Sequence, residues 1–459
     1  MGCHTLAVQI YNVRTAPCVL LALVCLAIDA PPAGAQATPD LLTLDRAVEL
    51  ALASNRPLQA AALDQQRQTD DVAALRTRRF PAFDVKVFEG AFLSPVEFTF
   101  RQGVFGTYPS TGPIPFADIT VDSPRRVSTA VLFTAVQPLT QLRKISRGES
   151  LLKLGGDLID EKTREQRQQL VADVRRAYVG LQQTSAGLTA LRDALTQLEE
   201  LERVVAQYVA REVALPADHL AVRTEKARTD NQVLVLRNLQ ATLTERINLL
   251  IGRDLATPFT VEPFAAPAMD QRSVDAAVAS ARTSRPAVRE ADLTVRRASA
   301  DVDLHALDRL PDISVALGVV RLANVDVLPQ NVAAASLVLT WEPFDWGRRR
   351  HEADARSRSL DQARIGLSET QARVELDVRS KARAVAEARA AIDAAQLARD
   401  TAAERLRVAT DRYKVEATLL KDLLEAQTAM AQTTQAYQQT IGAFWTARAD
   451  FDQAVGDQP

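Results

Sequence analysis

SNRPLQ at 54–59 and TSRPAV at 283–288 are two versions of one phrase, 229 residues apart. Each follows an alanine-rich stretch, AVELALA before the first and AAVASAR before the second, and each leads into another helical run. Working outward, RFPAFDV at 79–85 maps onto RLPDISV at 309–315 with an offset of 230, so one residue is gained between the two matches. VQPL at 136–139 matches WEPF at 341–344 at 205, and LLIG ending at Gly252 matches QAVG ending at Gly456 at 204. The first copy therefore holds about 25 extra residues between its two β-rich parts, in a stretch ending near Arg126. The chain is an internal duplication, each copy reading helix, strand, loop, strand, long helix, turn, helix.

Only 17 glycines and 21 prolines punctuate 459 residues, which implies long elements with few turns. Leu170, Val174, Ala177, Leu181, Thr184, Leu188, Leu191, Leu195 and Leu198 alternate steps of four and three, a heptad seam that Leu201, Val205 and Tyr208 continue after a phase slip. A helix over 142–211 would rise about 105 Å, and helices over 216–252 and 273–308 about 55 Å each. Placed end to end, those two equal the long one. In the second copy the long helix over 347–414 is likewise equalled by 418–456 plus a helix over 43–79. The intended division is a first repeat over 38–252 with a β-hairpin at 82–138, an equatorial linker over 253–271, and a second repeat over 272–459 with a β-hairpin at 312–343.

Four strand candidates begin at Phe83, Val127, Ile313 and Val332, each about ten residues, the length of a tilted transmembrane strand. Phe83, Val85 and Val87 share one face against Asp84 and Lys86, and Ile313, Val315 and Leu317 share a face against Asp312, Ser314 and Gly318. These six apolar residues are the lipid-facing candidates. Alternation alone also fits an ordinary sheet over a helical core. Four strands cannot close by themselves, however, and an open edge has no water to satisfy it inside a bilayer. Strands that span a membrane must therefore be pooled from several chains. The first hairpin loop, with five prolines, suits an outward excursion.

Net charge is −2 with signs interspersed, so no basic field for nucleic acid exists. The first 37 residues, with Arg14 ahead of an apolar run over 18–28 and small residues at Ala35 and Ala37, read as a secretory leader. Cys3, Cys18 and Cys25 all lie within it, so the mature chain has no thiol, and Val24 before Cys25 disfavours a lipid anchor. His219, His305 and His351 are isolated on helical sequence with no catalytic, phosphate-binding or metal motif around them, so neither an enzyme nor a cofactor is expected.

At LTWEPFDWGRRRHEADARSRSLDQA, 339–363, a strand, an aromatic, a Pro-Phe-Asp-x-Gly turn, an arginine run and an alanine-rich helix follow one another. With the duplicated phrases and the LLIG and QAVG helix ends, this resembles the TolC-like outer-membrane efflux protein family over nearly the whole mature chain. The resemblance implies a mainly α fold with a β-barrel part, in which a coiled-coil helical tunnel in the periplasm carries a twelve-stranded barrel completed by trimerisation in the outer membrane. It further implies a homotrimer that works with a periplasmic adaptor (membrane fusion protein) and an inner-membrane pump or exporter.

Two sets of residues follow from that frame. Trp341, Phe344 and Trp346 suit a membrane interface, Asp345 can cap the next helix and Gly347 allows a sharp corner. Arg348, Arg349 and Arg350 open a helix whose dipole disfavours cations, so they either anchor at lipid headgroups or the interface, or form a solvated charge run or pair with neighbouring carboxylates. The first copy has only Arg143 and Lys144 there. At the hairpin tips, YVAREVALPADHL and YKVEATLLKDLLEA put Asp218 and Asp422 at matching positions, 204 apart, with Lys421 beside the second. The resemblance implies a periplasmic entrance there, ringed by acids, whereas the helix dipole favours a first-turn aspartate whatever its role. The tips lack the family's small-residue turn, having Val213-Ala214 and Glu416-Ala417. A periplasmic coiled-coil adaptor or scaffold without a pore is the competing reading, which leaves four paired strands without a purpose.

Overall fold

The computed structural model describes residues 40–91, 96–123, 127–264, 273–324, 329–415 and 417–456. The expected leader, part of the 253–271 linker and Glu416 lie outside the described residues. Chain order is β1 (Asp40–Leu42), α1 (Leu44–Ser54), α2 (Arg56–Thr77), β2 (Ala82–Ala91), β3 (Val96–Phe100), β4 (Thr107–Tyr108), β5 (Gly112–Pro113), β6 (Ile119–Ser123), β7 (Val127–Pro138), α3 (Gln141–Ala210) and α4 (Pro216–Leu250). It continues with β8 (Phe259–Val261), α5 (Val274–Ser284), α6 (Pro286–Ala306), β9 (Asp312–Ala323), β10 (Asn331–Thr340), α7 (Arg348–Lys414) and α8 (Leu420–Val455).

The helices expected over 43–79 and 273–308 are each broken in two at the repeated phrase. Asn55 ends α1 and begins α2 in extended backbone, its Oδ1 accepting from the Leu58 N–H at 3.4 Å. Arg285 holds the same place between α5 and α6. α2 and α6 start 230 residues apart, as do β2 and β9, so no residue is gained between them. The proline has moved instead: it is the second helical residue in α2 and the first in α6, both positions that need no N–H.

The two long helices have 70 and 67 residues. Along α3 the heptad residues from Leu170 to Leu188 are buried, as are Leu198, Leu201 and Val205. End-to-end stacking occurs, but with the partners exchanged relative to the length argument. α2 stands on α4, not on α8: the Asn55 Nδ2 donates to the Leu250 carbonyl at 3.1 Å. Ala47, Ala51 and Leu58 share a core there with Ile247, Ile251, Leu170, Val174 and Tyr178. α6 stands on α8, where the Ser284 hydroxyl donates to the Val455 carbonyl at 3.1 Å and Arg285 Nη1 to the Ala454 carbonyl at 3.2 Å. Ala277, Val278, Ala281 and Val288 pack there on Val374, Val378, Phe451 and Val455. Because α2 and α6 have 22 and 21 residues, length cannot distinguish the two pairings; the polar bonds at the junctions do.

Gly252 and Gly456 end the half-height helices in the left-handed region, φ +72° and +80°. A Cβ on Gly252 would come within 2.7 Å of the Ser54 carbonyl oxygen, so the stacked end of α1 requires glycine there. Beside the first junction, β1 pairs with β8, and the Tyr178 hydroxyl bridges them by donating to the Leu42 carbonyl at 2.9 Å and accepting from the Glu262 N–H at 3.2 Å.

Side by side, the helices run α4, α3, α8, α7 toward the hairpin tips and α2, α3, α6, α7 toward the sheet. Leu201, Val205, Val222, Leu420 and Leu423 form the tip core from both hairpins. The sheet order is β10, β9, β7, β2, every neighbour antiparallel. One flank of the chain is therefore β2, α2 and α4, and the opposite flank is β10 and α7. The extra residues of the first hairpin form a ribbon of their own, with β3 paired to β6 and β4 to β5.

Candidate membrane-spanning sheet and duct ends

Strand register sorts the sheet into two chemistries. Phe83 faces Ala135, which faces Leu317, which faces Ala335; Val85 runs likewise through Phe133 and Val319 to Ala333. Val87 aligns with Val131, whose row continues to Arg321 and Asn331; Ile313 aligns with Leu339, and Val315 lies between Gln137 and Leu337. All six lipid-facing candidates thus lie on one face, and the register adds Phe133, Leu337 and Leu339, whose own alternation is too weak to orient the second strand of each hairpin. The other face aligns Asp84, Thr134, Gly318 and Ala334, then Lys86, Leu132, Val320 and Val332, then Ala82, Val136, Ala316 and Ser336. It is mixed, with small and polar side chains and an Asp84–Lys86 contact of 3.7 Å.

Along β9 Val315, Leu317 and Val319 are exposed while Ala316, Gly318 and Val320 are half-buried; β7 reverses this, with Ala135 buried on the face of Leu317 and Val136 exposed on the other. β2 and β10 are exposed at every position, as edge strands are. Among the described residues no helix is long and apolar enough to cross a membrane.

Polar bonds tie the helix-proximal end of the sheet to the long rods. The Thr140 hydroxyl accepts from the Ile313 N–H at 2.8 Å, Gln137 Nε2 donates to the Arg79 carbonyl at 3.0 Å, and Lys144 reaches Asp312 at 3.1 Å and Asp308 at 3.4 Å. Just beyond, Glu149 is 5% exposed and accepts from Arg76 of α2 at 2.7 Å and from Arg79, in the turn after it, at 2.5 Å, with Lys153 at 3.0 Å. The Arg76 and Lys153 hydrogen bonds hold its carboxyl down at about 2, well below the ordinary 4.5.

The corner into α7 is as compact as its sequence suggests. Asp345 accepts from the Gly347 N–H at 3.1 Å and the Arg349 N–H at 3.0 Å, and Gly347 turns at φ +89°. The Arg349 N–H first, then that of Gly347, keeps the Asp345 carboxyl below its usual range despite partial burial. Arg348 pairs with Glu342 at 2.7 Å and Glu352 at 3.1 Å, and Arg349 with Glu342 at 3.1 Å and Asp345 at 3.5 Å. Two of the three arginines are thus neutralised locally, which offsets the unfavourable helix dipole. Arg350 is exposed, with no ion pair among the described residues. Trp341, Phe344 and Trp346 all project outward, Trp346 being 89% exposed, and Phe344 meets Trp346 edge-on at 4.9 Å. Phe80, Leu139 and Leu310, exposed at the same end of the sheet, extend this apolar girdle.

At the opposite end of the rods, Asp218 Oδ2 accepts from the Leu215 N–H at 3.0 Å. Asp422 Oδ2 accepts from the Leu419 N–H at 3.4 Å and the Thr418 hydroxyl at 2.7 Å. Both aspartates cap the returning helices. Asp218 lines one groove with Lys421, which is exposed and 3.7 Å from Glu425. His219, next to Asp218, lies 3.7 Å from Glu202 and is the lone histidine of that cluster.

Residues 277–457, nearly all of the second repeat, match the outer membrane efflux protein family. No curated protein sequence matches the chain. In fold it is similar to the Campylobacter jejuni CmeC outer membrane channel, with 15% identity, TM-score 0.73, and 90% of this chain and 85% of that one covered. It is similar to the Neisseria gonorrhoeae MtrE outer membrane channel in its open state, with 18% identity, TM-score 0.68, and 90% and 88% covered. The Vibrio cholerae outer membrane protein VceC gives 14%, 0.69, and 90% and 96%. Residues 277–457 thus match an outer membrane efflux protein domain, within a chain that has the fold of these outer-membrane channels.

Proposed function

We propose that three copies of the chain form an exit duct through the outer membrane, with the helical rods in the periplasm. The observation that carries this is the flank arithmetic. Both edge strands, β2 and β10, have one unpaired edge among the described residues, and the helices beneath them are open on the same two sides: Leu234, Val235 and Leu239 of α4 are exposed on one, Ile365, Leu376 and Leu397 of α7 on the other. Two different flanks that complete each other make a heterologous contact, which closes as a ring. Two copies would give eight strands, whose interior side chains fill; three give twelve and leave a passage. The face carrying the six apolar candidates then meets lipid, and the Trp341, Phe344 and Trp346 girdle with Arg350 lies at the periplasmic headgroups.

The residues at 1–37 serve as the leader that exports the chain. The tips, where Asp218, Asp422 and Lys421 of three copies gather, form the periplasmic entrance and the surface that meets an adaptor, through which an inner-membrane pump delivers cargo. A pore-free periplasmic scaffold has no use for an unprotected apolar sheet. Detergent-extracted protein placed in a planar lipid bilayer should give discrete, long-lived conductance steps, and cross-linking in cells should recover an adaptor. Purification as a water-soluble monomer without conductance would overturn the reading.

A further inference from the structure

The ribbon grafted onto the first hairpin is unused by the duct. It leaves from Ala91 of β2 and returns at Val127 of β7, the sheet ends farthest from the helices, whereas β9 and β10 are joined by a short connection. Its outer part, residues 102–117, contains no charged side chain. It is well bonded: the Gly103 N–H donates to the Pro115 carbonyl, the Phe105 N–H to the Ile114 carbonyl and the Ile114 N–H to the Gly106 carbonyl, each at 2.9 Å, and the Gln102 N–H donates to Asp118 Oδ1 at 2.7 Å. Yet Val104, Phe105, Tyr108 and Phe116 are exposed, Phe116 at 79%. An ordered, uncharged tip with this much bare aromatic surface is out of place on a solvated loop.

We infer that the three ribbons of the assembled ring meet over the outer mouth of the duct through these tips, so that the partner of each is a second copy of itself. The inference rests on the three-copy reading above. Charge supports it, since identical surfaces can associate face to face only where like charges do not oppose one another, and 102–117 supplies none. Lipopolysaccharide phosphates, the other surface within reach, call for lysine or arginine, which the tip lacks. Reach supports it too. Twelve strands spaced about 4.8 Å and tilted about 40° enclose a radius of about 12 Å. The 13 residues from Val96 to Tyr108 can extend about 40 Å, enough to reach the axis even when folded back once. The ribbon is also rooted on β2, the strand at the seam between copies.

The mature chain lacks cysteine, so single thiols can report the contact. With Phe116→Cys, mild oxidation of outer-membrane vesicles should link two of every three chains into covalent dimers, and Tyr108→Cys should behave alike if Phe116 proves essential to folding. Gln330→Cys, on the short second hairpin, should remain reduced, because copies at the rim stand about 20 Å apart at that radius. The unheated trimer on a gel is scored separately. A trimer whose Phe116→Cys and Tyr108→Cys thiols both stay reduced overturns the cap and spares the duct, whereas absence of the trimer overturns both. Labelling Phe116→Cys with a polarity-sensitive dye in lipopolysaccharide–phosphatidylethanolamine vesicles covers the other occupant: quenching by brominated lipid would mean that lipid, not a sister ribbon, covers the tip.

Discussion

The two repeats follow one path and solve the same mechanical problems with different side chains. Where α2 stands on α4, the junction is neutral: a buried asparagine caps one helix and ties down the end of the other. Where α6 stands on α8, Arg285 does the tying and is itself held by Asp377 at 2.7 Å. Higher up, the long helix of the first repeat offers the acid, Glu149, to Arg76 of α2 and to Arg79 just past it, whereas in the second repeat Arg356 of α7 reaches Asp301 of α6 at 2.5 Å. Geometry is retained while charges change places. What the duplication preserves is therefore rod length, helix breaks and the two glycine ends, not any one polar contact.

The largest effect should come from testing whether the repeats present a common lipid face. Val85→Arg and Leu317→Arg, one in each repeat, should each cost about 2–4 kcal/mol per copy in the membrane and abolish the heat-resistant trimer, while Val320→Arg on the opposite face should leave it. Equal tolerance of all three would erase the distinction between faces. Next come the glycine ends. Gly252→Ala and Gly456→Ala each place a side chain at positive φ, costing about 1–3 kcal/mol. Gly252→Ala should be the worse, since its Cβ would meet a carbonyl oxygen at 2.7 Å rather than an α-carbon at 3.2 Å, and thermal melts followed by circular dichroism would rank them.

Smaller is the junction itself. Asn55→Ala removes a helix cap and should cost about 1 kcal/mol, independent of salt. Arg285→Gln should cost less as salt is raised, because an ion pair is lost; identical salt profiles would mean the junctions are not chemically distinct. Smallest at neutral pH is Glu149→Gln, since Arg76, Arg79 and Lys153 are each more than a third exposed and regain water. The sign with pH is fixed by the depressed carboxyl. Its contribution is complete above about 4.5 and disappears as pH falls toward about 2, so parent and variant melting temperatures should converge over that window.

Much of this was legible in the residues. The heptad seam along α3, the glycine ends, and Phe83, Val85 and Val87 against Asp84 and Lys86 all follow from periodicity, which survives any tertiary context. What periodicity could not supply was partner choice. Two helices of nearly equal length fit either stack, and only the Asn55–Leu250 and Ser284–Val455 bonds decide between them. The break inside 43–79 went unseen because an asparagine cap ahead of Arg-Pro was read as part of a continuous helix. Phe133 and Leu337 could be oriented only through register. The aspartates at the tips were visible as a pair, but their capping geometry depends on where the backbone turns.

One experiment addresses the completed ring most directly. Within a chain β2 and β10 are the outer strands of a four-stranded sheet, about 14 Å apart at ordinary strand spacing, too far for an intramolecular disulfide. A cysteine fixed at Val85 and a second stepped along β10 from Val332 to Leu339 should therefore yield covalent dimers and trimers at alternating positions around a single register. If every such pair remains a reduced monomer in the outer membrane, the edges are not closed by sister copies and the duct as described here does not exist.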